Sequence, residues 1–286
     1  MAIKIITDST CYLDEALVKQ YEIIVLPLYV TFGQESFKET DLDNTVFYPK
    51  MEKEGIPISS QPAVGEIFLA MEEILKEGHD VLGIFLSSSM SGTFNSATLI
   101  SQELSEKYKD AKITILDSKT NSMQLGFTVL EAAKKAQETQ NYDEVVDEAR
   151  RVIDSSRFIF IPENLDYLHK GGRIGGAGTL FGNMLKLTPI LTVHNAETSV
   201  LKTVRTKKRA KQALIDKMLD DHEKYEIQAL AIHHINCYDE AVALQEAIEG
   251  KVSAPIHISN IGPVIGLHVG PGAIGFAYHT KNKITD

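Results

Sequence analysis

The apolar run Val81-Leu-Gly-Ile-Phe-Leu86 and the segment Ser87-Ser-Ser-Met-Ser-Gly-Thr93 behind it constrain the fold more than any other feature of this chain. A run without polar alternation reads as a strand buried on both faces. Such a strand needs a packed layer on each side, the arrangement of α/β proteins. The hydroxyl-rich turn leads into a helix over 94–104, where Ala97, Ile100 and Leu104 recur at helical spacing. The first amides of a helix lack internal partners and carry partial positive charge. Strand, hydroxyl turn and helix start together make a place for an anion, at the carboxyl end of a strand where open α/β sheets bind ligands. Taken alone, the loop is explained as an ordinary cap made by Ser91 or Thr93.

Repetition shifts that balance. A strand over 3–6 ends in Thr7-Asp8-Ser9-Thr10. Another over 113–116 ends in Asp117-Ser118-Lys119-Thr120-Asn121-Ser122, before a helix over 125–137. Pro57-Ile-Ser-Ser-Gln-Pro62 precedes a helix over 64–76, with Ser59 and Ser60 where caps belong. Hydroxyl loops recurring at strand ends and helix starts predict convergence on one polar pocket.

Composition narrows the function classes. A net charge of −10 over 286 residues argues against general nucleic-acid affinity. Cys11 and Cys237 imply no disulfide framework, and no Cys/His spacing suggests zinc. The N-terminus lacks a signal-peptide pattern, so a cytoplasmic protein is expected. Residues 261–278 are mostly apolar, but Pro263, Pro271, several glycines and His268 interrupt them, which argues against a membrane span.

The pattern predicts two closely packed domains. Residues 1–156 alternate strands and helices and predict a largely parallel α/β/α sheet, closed by a helix over 142–153. Residues 157–286 predict a mixed α+β domain. It has strands over 158–161, 190–193, 200–204 and 229–233, and helices over 165–169, 208–225 and 238–249. A final strand-rich segment opens at 256. The strands near 190 and 200 are expected to pair antiparallel, and a Gly-rich stretch runs from Gly171 to Gly182.

Several motifs fail on context. Gly270-Pro-Gly272-Ala-Ile-Gly275 matches G-x-G-x-x-G but precedes a strand pattern, not a helix. Gly176-Ala-Gly178-Thr-Leu-Phe-Gly182 misses the same spacing by one residue. Walker A and nucleophile-elbow sequences are absent, so ATP binding by this chain alone is not expected. His268 reads either as a satisfied core histidine or as a pocket residue. Arg173, behind two glycines, reads as a solvent-facing residue after a helix end or as a ligand contact. The basic run at 202–211 is either a solvated helix face or a docking patch for an acidic partner or a phosphate.

Six short motifs occur in order: Thr7-Asp-Ser-Thr10, Ser59-Ser-Gln-Pro62, Ser91-Gly-Thr93 with Ser96-Ala97, Asp117-Ser-Lys119 with Ser122-Met123, Lys170-Gly-Gly-Arg173, and Ile261-Gly-Pro-Val-Ile-Gly266 with His268 and Gly270-Pro-Gly272. Together, over nearly the whole chain, they resemble the DegV family of bacterial fatty-acid-binding proteins, which includes the FakB subunits of fatty acid kinase. The resemblance implies a two-domain α/β fold and a fatty acid in an apolar tunnel with its carboxylate at the hydroxyl loops. It assigns Ser59, Ser60 and Ser91, with Gly92, Thr93 and His268, to the ligand. It places Arg173 and Arg205 near the head group or the face met by the kinase. The chain departs from the family pattern at Ser59 and Ala63, where Thr and Ser are frequent, and at Glu163-Asn164, where Asp-Thr is frequent.

The expected function is thus a non-catalytic fatty-acid-binding subunit. It would present a long-chain fatty acid to a separate ATP-dependent kinase for acyl phosphate formation. No cofactor or metal is expected, and contact with a membrane surface is compatible with the composition. The alternatives are an acyl hydrolase using Ser91 and His268 with Asp8 as orienter, and a passive lipid carrier.

Overall fold

The apolar run at 81–86 lies inside a four-stranded parallel sheet in the computed structural model, which describes residues 2–180 and 187–285. The first part of the chain forms β1 (Ile3–Asp8), α1 (Glu15–Gln20), β2 (Ile24–Leu26), β3 (Tyr29–Phe32), β4 (Glu35–Lys38), α2 (Asn44–Glu54), β5 (Ile58–Ser60), α3 (Val64–Lys76), β6 (Asp80–Phe85), α4 (Thr93–Lys107), β7 (Ile113–Asp117), α5 (Ser122–Glu138) and α6 (Tyr142–Asp154). The second part forms β8 (Ser156–Ile161), α7 (Asp166–Lys170), β9 (Thr188–His194), β10 (Glu197–Val204), α8 (Lys207–Tyr225), β11 (Ile227–His234), α9 (Tyr238–Ile248), β12 (Ile256–Asn260), α10 (Pro263–Val269) and β13 (Ile274–Thr280).

The parallel sheet has the order β2-β1-β6-β7, and every residue of β6 is buried. A mixed sheet has the order β10-β9-β8-β13-β11-β12, and β9 and β10 pair antiparallel as the sequence predicts. A small antiparallel sheet, β4-β3-β5, stands beside them. The fold is therefore mixed α/β.

Burial explains the layering. α3 and α4 cover one face of the parallel sheet through Ile67, Met71, Ala97, Ile100 and Leu104. α8 and α9 cover the outer face of the mixed sheet through Leu214, Met218, Ala241 and Leu244. Between the sheets runs a shared core that includes Ile5, Leu82, Phe127, Val145, Phe158 and Ala277. α5 touches β1 and β6 on one side and β8 and β13 on the other, so its first half is buried almost all round. That double contact holds the two sheets against each other. Each fully buried Leu, Ile or Phe side chain contributes about 1.5–3 kcal/mol.

Three expectations need correction. Ser59 and Ser60 are not at a cap: they lie on the short strand β5, and the N-cap of α3 is Ala63, whose backbone amide donates to Glu66. α5 starts three residues earlier than its apolar spacing suggests, because its first turn is buried and carries no polar contrast. The last segment is not strand-rich throughout. Residues 263–269 form α10, with Pro263 preset for the first helical position. The near match at 176–182 ends outside the described residues, and 175–180 form a 3-10 turn instead. No helix among the described residues is long and apolar enough to cross a membrane.

Candidate functional site

A cavity of about 130 Å³ opens where the carboxyl ends of the parallel strands meet the mixed sheet. Three of the hydroxyl loops reach it. Ser59, Ser60 and Gln61 come from the end of β5, Met90, Ser91 and Gly92 from the turn after β6, and Asn121 from the turn before α5. The second part of the chain closes it with Arg173, Thr198 and His268 and with the apolar residues Phe158, Phe160, Val193, Ile265 and Val269.

Hydrogen bonds fix the polar end. Ser59 Oγ and His268 Nε2 share a bond of 2.8 Å across 209 residues of sequence. β5 sets the serine, since Ser59 pairs with Val30 in register, and α10 sets the histidine. Ser91 Oγ lies 2.9 Å from Thr93 Oγ1 and accepts from Thr93 N at 3.3 Å. The N-cap of α4 is Gly92, which has no side-chain cap bond, so Ser91 is not the cap expected from the sequence; it bonds to the first helical residue while lining the cavity. Gln61 Nε2 donates to Ser96 Oγ at 2.8 Å, and its Oε1 sits where Gly92 would otherwise carry a Cβ. Any larger residue at 92 would push Gln61 aside.

Arg173 is anchored rather than free in solvent. Its Nε donates to Met90 O at 3.1 Å and its Nη1 to Gly171 O at 2.7 Å. Burial, and then the Arg173 charge, push the His268 ring down to about 4, so it is neutral at pH 7. Gly171 is required behind that ring, because a Cβ there would collide with His268 Nδ1. Among the described residues lining the cavity there is one cation, Arg173, and no carboxylate. The wall therefore suits an anion: hydroxyls donate to it, the guanidinium balances it, and the α4 N-terminus adds a favourable dipole.

Other sequence candidates fall elsewhere. The loop after β1 does not reach the cavity. Asp8 is fully buried and accepts from Thr10 N and Leu86 N at 3.0 and 2.8 Å, so it ties β1 to the end of β6. Burial pushes its carboxyl up to about 6. Thr93 is buried beneath Ser91 and is not a wall residue. Arg205 is exposed between β10 and α8, away from the lining. The basic run is partly neutralised: Lys207 pairs with Glu163 and Glu240 at 2.6 and 3.2 Å, and Lys211 pairs with Glu240 at 2.8 Å. The hydrolase arrangement is not assembled, since His268 faces Ser59 rather than Ser91 and Asp8 is engaged with Thr10 and Leu86. Gln61, Asn121 and Thr198 line the wall without having been singled out. Gln61 and Asn121 belong to the hydroxyl loops of the sequence, whereas Thr198 is brought in only by the β9–β10 pairing.

Fold and site together define a two-sheet α/β protein with a mixed polar and apolar cavity between its parts. The chain belongs to the DegV family, whose model, described as an uncharacterised protein family, matches residues 2–281. It is 51% identical over 284 residues to a DegV domain-containing protein of Clostridium acetobutylicum, covering 99% of this chain and 100% of that one. It is similar to the crystal structure of DegV from Bacillus subtilis, described as a fatty acid binding protein, with a TM-score of 0.86 and 30% identity over 98% of this chain and 100% of that one. A DegV family protein from Thermus thermophilus, described by its fatty acid binding, has a TM-score of 0.88 and 27% identity over 98% and 100% of the two chains.

Proposed function

We propose that this protein binds a long-chain fatty acid, with the carboxylate at Ser59, Ser60, Ser91 and Arg173 and the acyl chain among Phe158, Phe160, Val193, Ile265 and Val269. The observation that carries this reading is the wall itself, which among the described residues combines hydroxyl donors and one cation with aliphatic and aromatic side chains. The described fatty acid binding of the Bacillus subtilis and Thermus thermophilus relatives supports it.

A small apolar void continues behind Phe158, Phe160, Ile265 and Val269 toward Ile235, Ala273 and Gly275. The main cavity is below the roughly 300–1,000 Å³ of pockets that enclose drug-sized ligands. Seating a long chain therefore requires these shared side chains to turn aside and join the two spaces. Each buried methylene adds about 0.8 kcal/mol, so the tail sets affinity and the polar end sets orientation. The test is mass spectrometry of the purified protein under native and denaturing conditions. A fatty acid seen only as a non-covalent adduct supports the reading. A protein that neither carries nor takes up fatty acids overturns it, and a covalent acyl group on Ser59 or Ser91 favours a hydrolase.

The finer proposal is that the bound acid is a kinase substrate. A carboxylate oxygen attacks the γ-phosphorus of ATP held by a separate protein, the bond to ADP breaks, and the acyl phosphate stays in this cavity. Arg173 at the cavity and Arg205 on the exposed turn would meet phosphoryl charge and the partner surface, respectively. In this proposal residues 1–156 supply the hydroxyl loops, residues 157–286 complete the pocket, and the protein works in the cytoplasm. Acyl phosphate should form only when a kinase fraction is added. Formation by this chain with ATP alone would sink the partner requirement.

A further inference from the structure

At the start of α10 lies an open cleft that includes Ser9, Tyr12, Glu39, Asn44 and Gly262 in its wall. Glu39 stands at its floor, only 5% exposed, in the 3-10 turn Glu39–Asp41 after β4. A buried carboxylate persists only where donors surround it. Here Ser9 Oγ donates to Glu39 Oε2, while Tyr12 OH and Val264 N donate to Oε1 at 2.8 and 2.9 Å. Tyr12 OH in turn accepts from Ile265 N at 3.2 Å.

These contacts account for the whole start of α10. Pro263 has no amide hydrogen, Val264 N is taken by Glu39, Ile265 N by Tyr12, and Gly266 N by Gly262 O. Gly262 itself offers no side-chain cap. A Cβ on Gly262 would lie 2.6 Å from Tyr12 and 2.8 Å from Glu39, so the chain is pressed directly against the pair. The Glu39 backbone and its partner Ser9 are tied to Leu28. Glu39 N donates to Leu28 O at 2.8 Å, and Leu28 N donates to Ser9 Oγ at 3.0 Å. Leu28 lines the cavity, as do Val264, Ile265 and His268.

We infer that Glu39, with Tyr12, is the positioning residue that sets α10 and thereby holds His268 against Ser59. It touches nothing in the cavity and acts through the helix start. Its effect on affinity rests on the fatty-acid reading, whereas its effect on the His268 ring does not. Burial pushes the Glu39 carboxyl up to about 7, which fits a group held for its hydrogen bonds rather than its charge.

The test uses the full chain with Glu39→Leu, which keeps bulk and removes the acceptors, and Glu39→Gln, which keeps one acceptor. Ile248→Ala, in the outer core of the mixed sheet, is the control for general destabilisation. Nitrogen-edited spectra of the imidazoles, with His268 assigned by His268→Gln, are recorded on ligand-free protein, and fatty-acid affinity is measured separately. Glu39→Leu should shift the His268 signals and weaken affinity about tenfold or more, the size set by leaving buried donors unmatched. Glu39→Gln and Ile248→Ala should leave the signals in place and affinity within about threefold of the parent. If Glu39→Leu does not fold, Tyr12→Phe should shift the same signals. Unchanged His268 signals in Glu39→Leu or Tyr12→Phe, or equal changes in Ile248→Ala, would overturn the inference. A parent protein that binds no fatty acid would sink the functional reading while leaving the spectral result to decide this one.

Discussion

Each wall residue does two jobs, and substitutions separate them. Ser59 bonds to His268 and faces the cavity, while Ser91 bonds to Thr93 at the start of α4 and faces the same space. Removing one hydrogen bond to a charged group costs about 1.5–3 kcal/mol. Ser59→Ala and Ser91→Ala should each weaken fatty-acid binding by about that amount in titration calorimetry. Thr93→Val should change binding little, because Thr93 is buried behind the wall. Overlaid isotherms for both serine variants and the parent would put the carboxylate elsewhere. The two arginines should part company as well. Arg173→Ala should lose ligand as well as coupled phosphorylation, since Arg173 lines the cavity. Arg205→Ala should keep its lipid and lose only the coupled rate, most at low salt and less at high salt, where the parent's exposed charge is itself screened. Sequence alone gave no way to tell these arginines apart. Both sit in polar surroundings, and only the fold turns one inward.

At the scale of elements, legibility followed contrast. The spacing predicts α3 over 64–76, its observed bounds, and the apolar run at 81–86 predicts β6, which is shifted by one residue to Asp80–Phe85. β2, β3 and β4 are three or four residues long, and α2 contains Pro49, so residues 24–54 offer no readable period. α10 escaped for the opposite reason: all seven of its residues are buried, so no polar face marks its turn. The pocket itself was half legible. The hydroxyl loops announced themselves, but the Ser59–His268 contact requires the β3–β5 pairing and the α10 placement together. That dependence on elements gives a paired prediction at the end of α7. Gly171 has ordinary helical angles, yet a Cβ there would strike His268. Gly172 has a φ of +70° and open space around it. Gly171→Ala should therefore lower ligand affinity with little backbone strain. Gly172→Ala should cost stability of about 1–2 kcal/mol through its left-handed backbone and leave affinity nearly intact. Thermal melts and binding isotherms on the pair check this, and equal binding losses would remove the Gly171–His268 contact from the account.

Across the whole molecule, buried titratable groups on both sides of the central core set how stability responds to pH. His233, His268 and His279 are pushed down from 6.5 to about 3, 4 and 4, chiefly by burial. A ring whose native value is depressed stabilises the fold above pH 6.5 and loses that contribution as pH falls toward the native value, because the unfolded chain takes up the proton first. Asp8 and Glu39 act with the opposite sign. Burial raises them from 3.8 and 4.5 to about 6 and 7, so their contribution is present below the ordinary values and is lost as pH rises through the native ones. Between pH 4.5 and 6.5 the rings and the two carboxylates oppose each other; His234 and His257, also held down by burial, add to the rings, so the parent protein should lose stability on acidification. Removing one ring should tip the balance. His279 packs beside Phe127 at 5.3 Å between ring centres and lines no part of the ligand cavity. His279→Phe removes one proton from the unfolded side of the balance, which changes the slope by up to about 1.4 kcal/mol per pH unit. Urea unfolding at several pH values between about 4.5 and 7.5 should therefore show a variant whose stability falls less steeply on acidification than the parent's. The slope, not the absolute stability, is the readout, because the larger ring also alters packing. Parallel slopes for parent and variant would mean that His279 titrates normally in the fold, and that burial at this position does not govern the acid response.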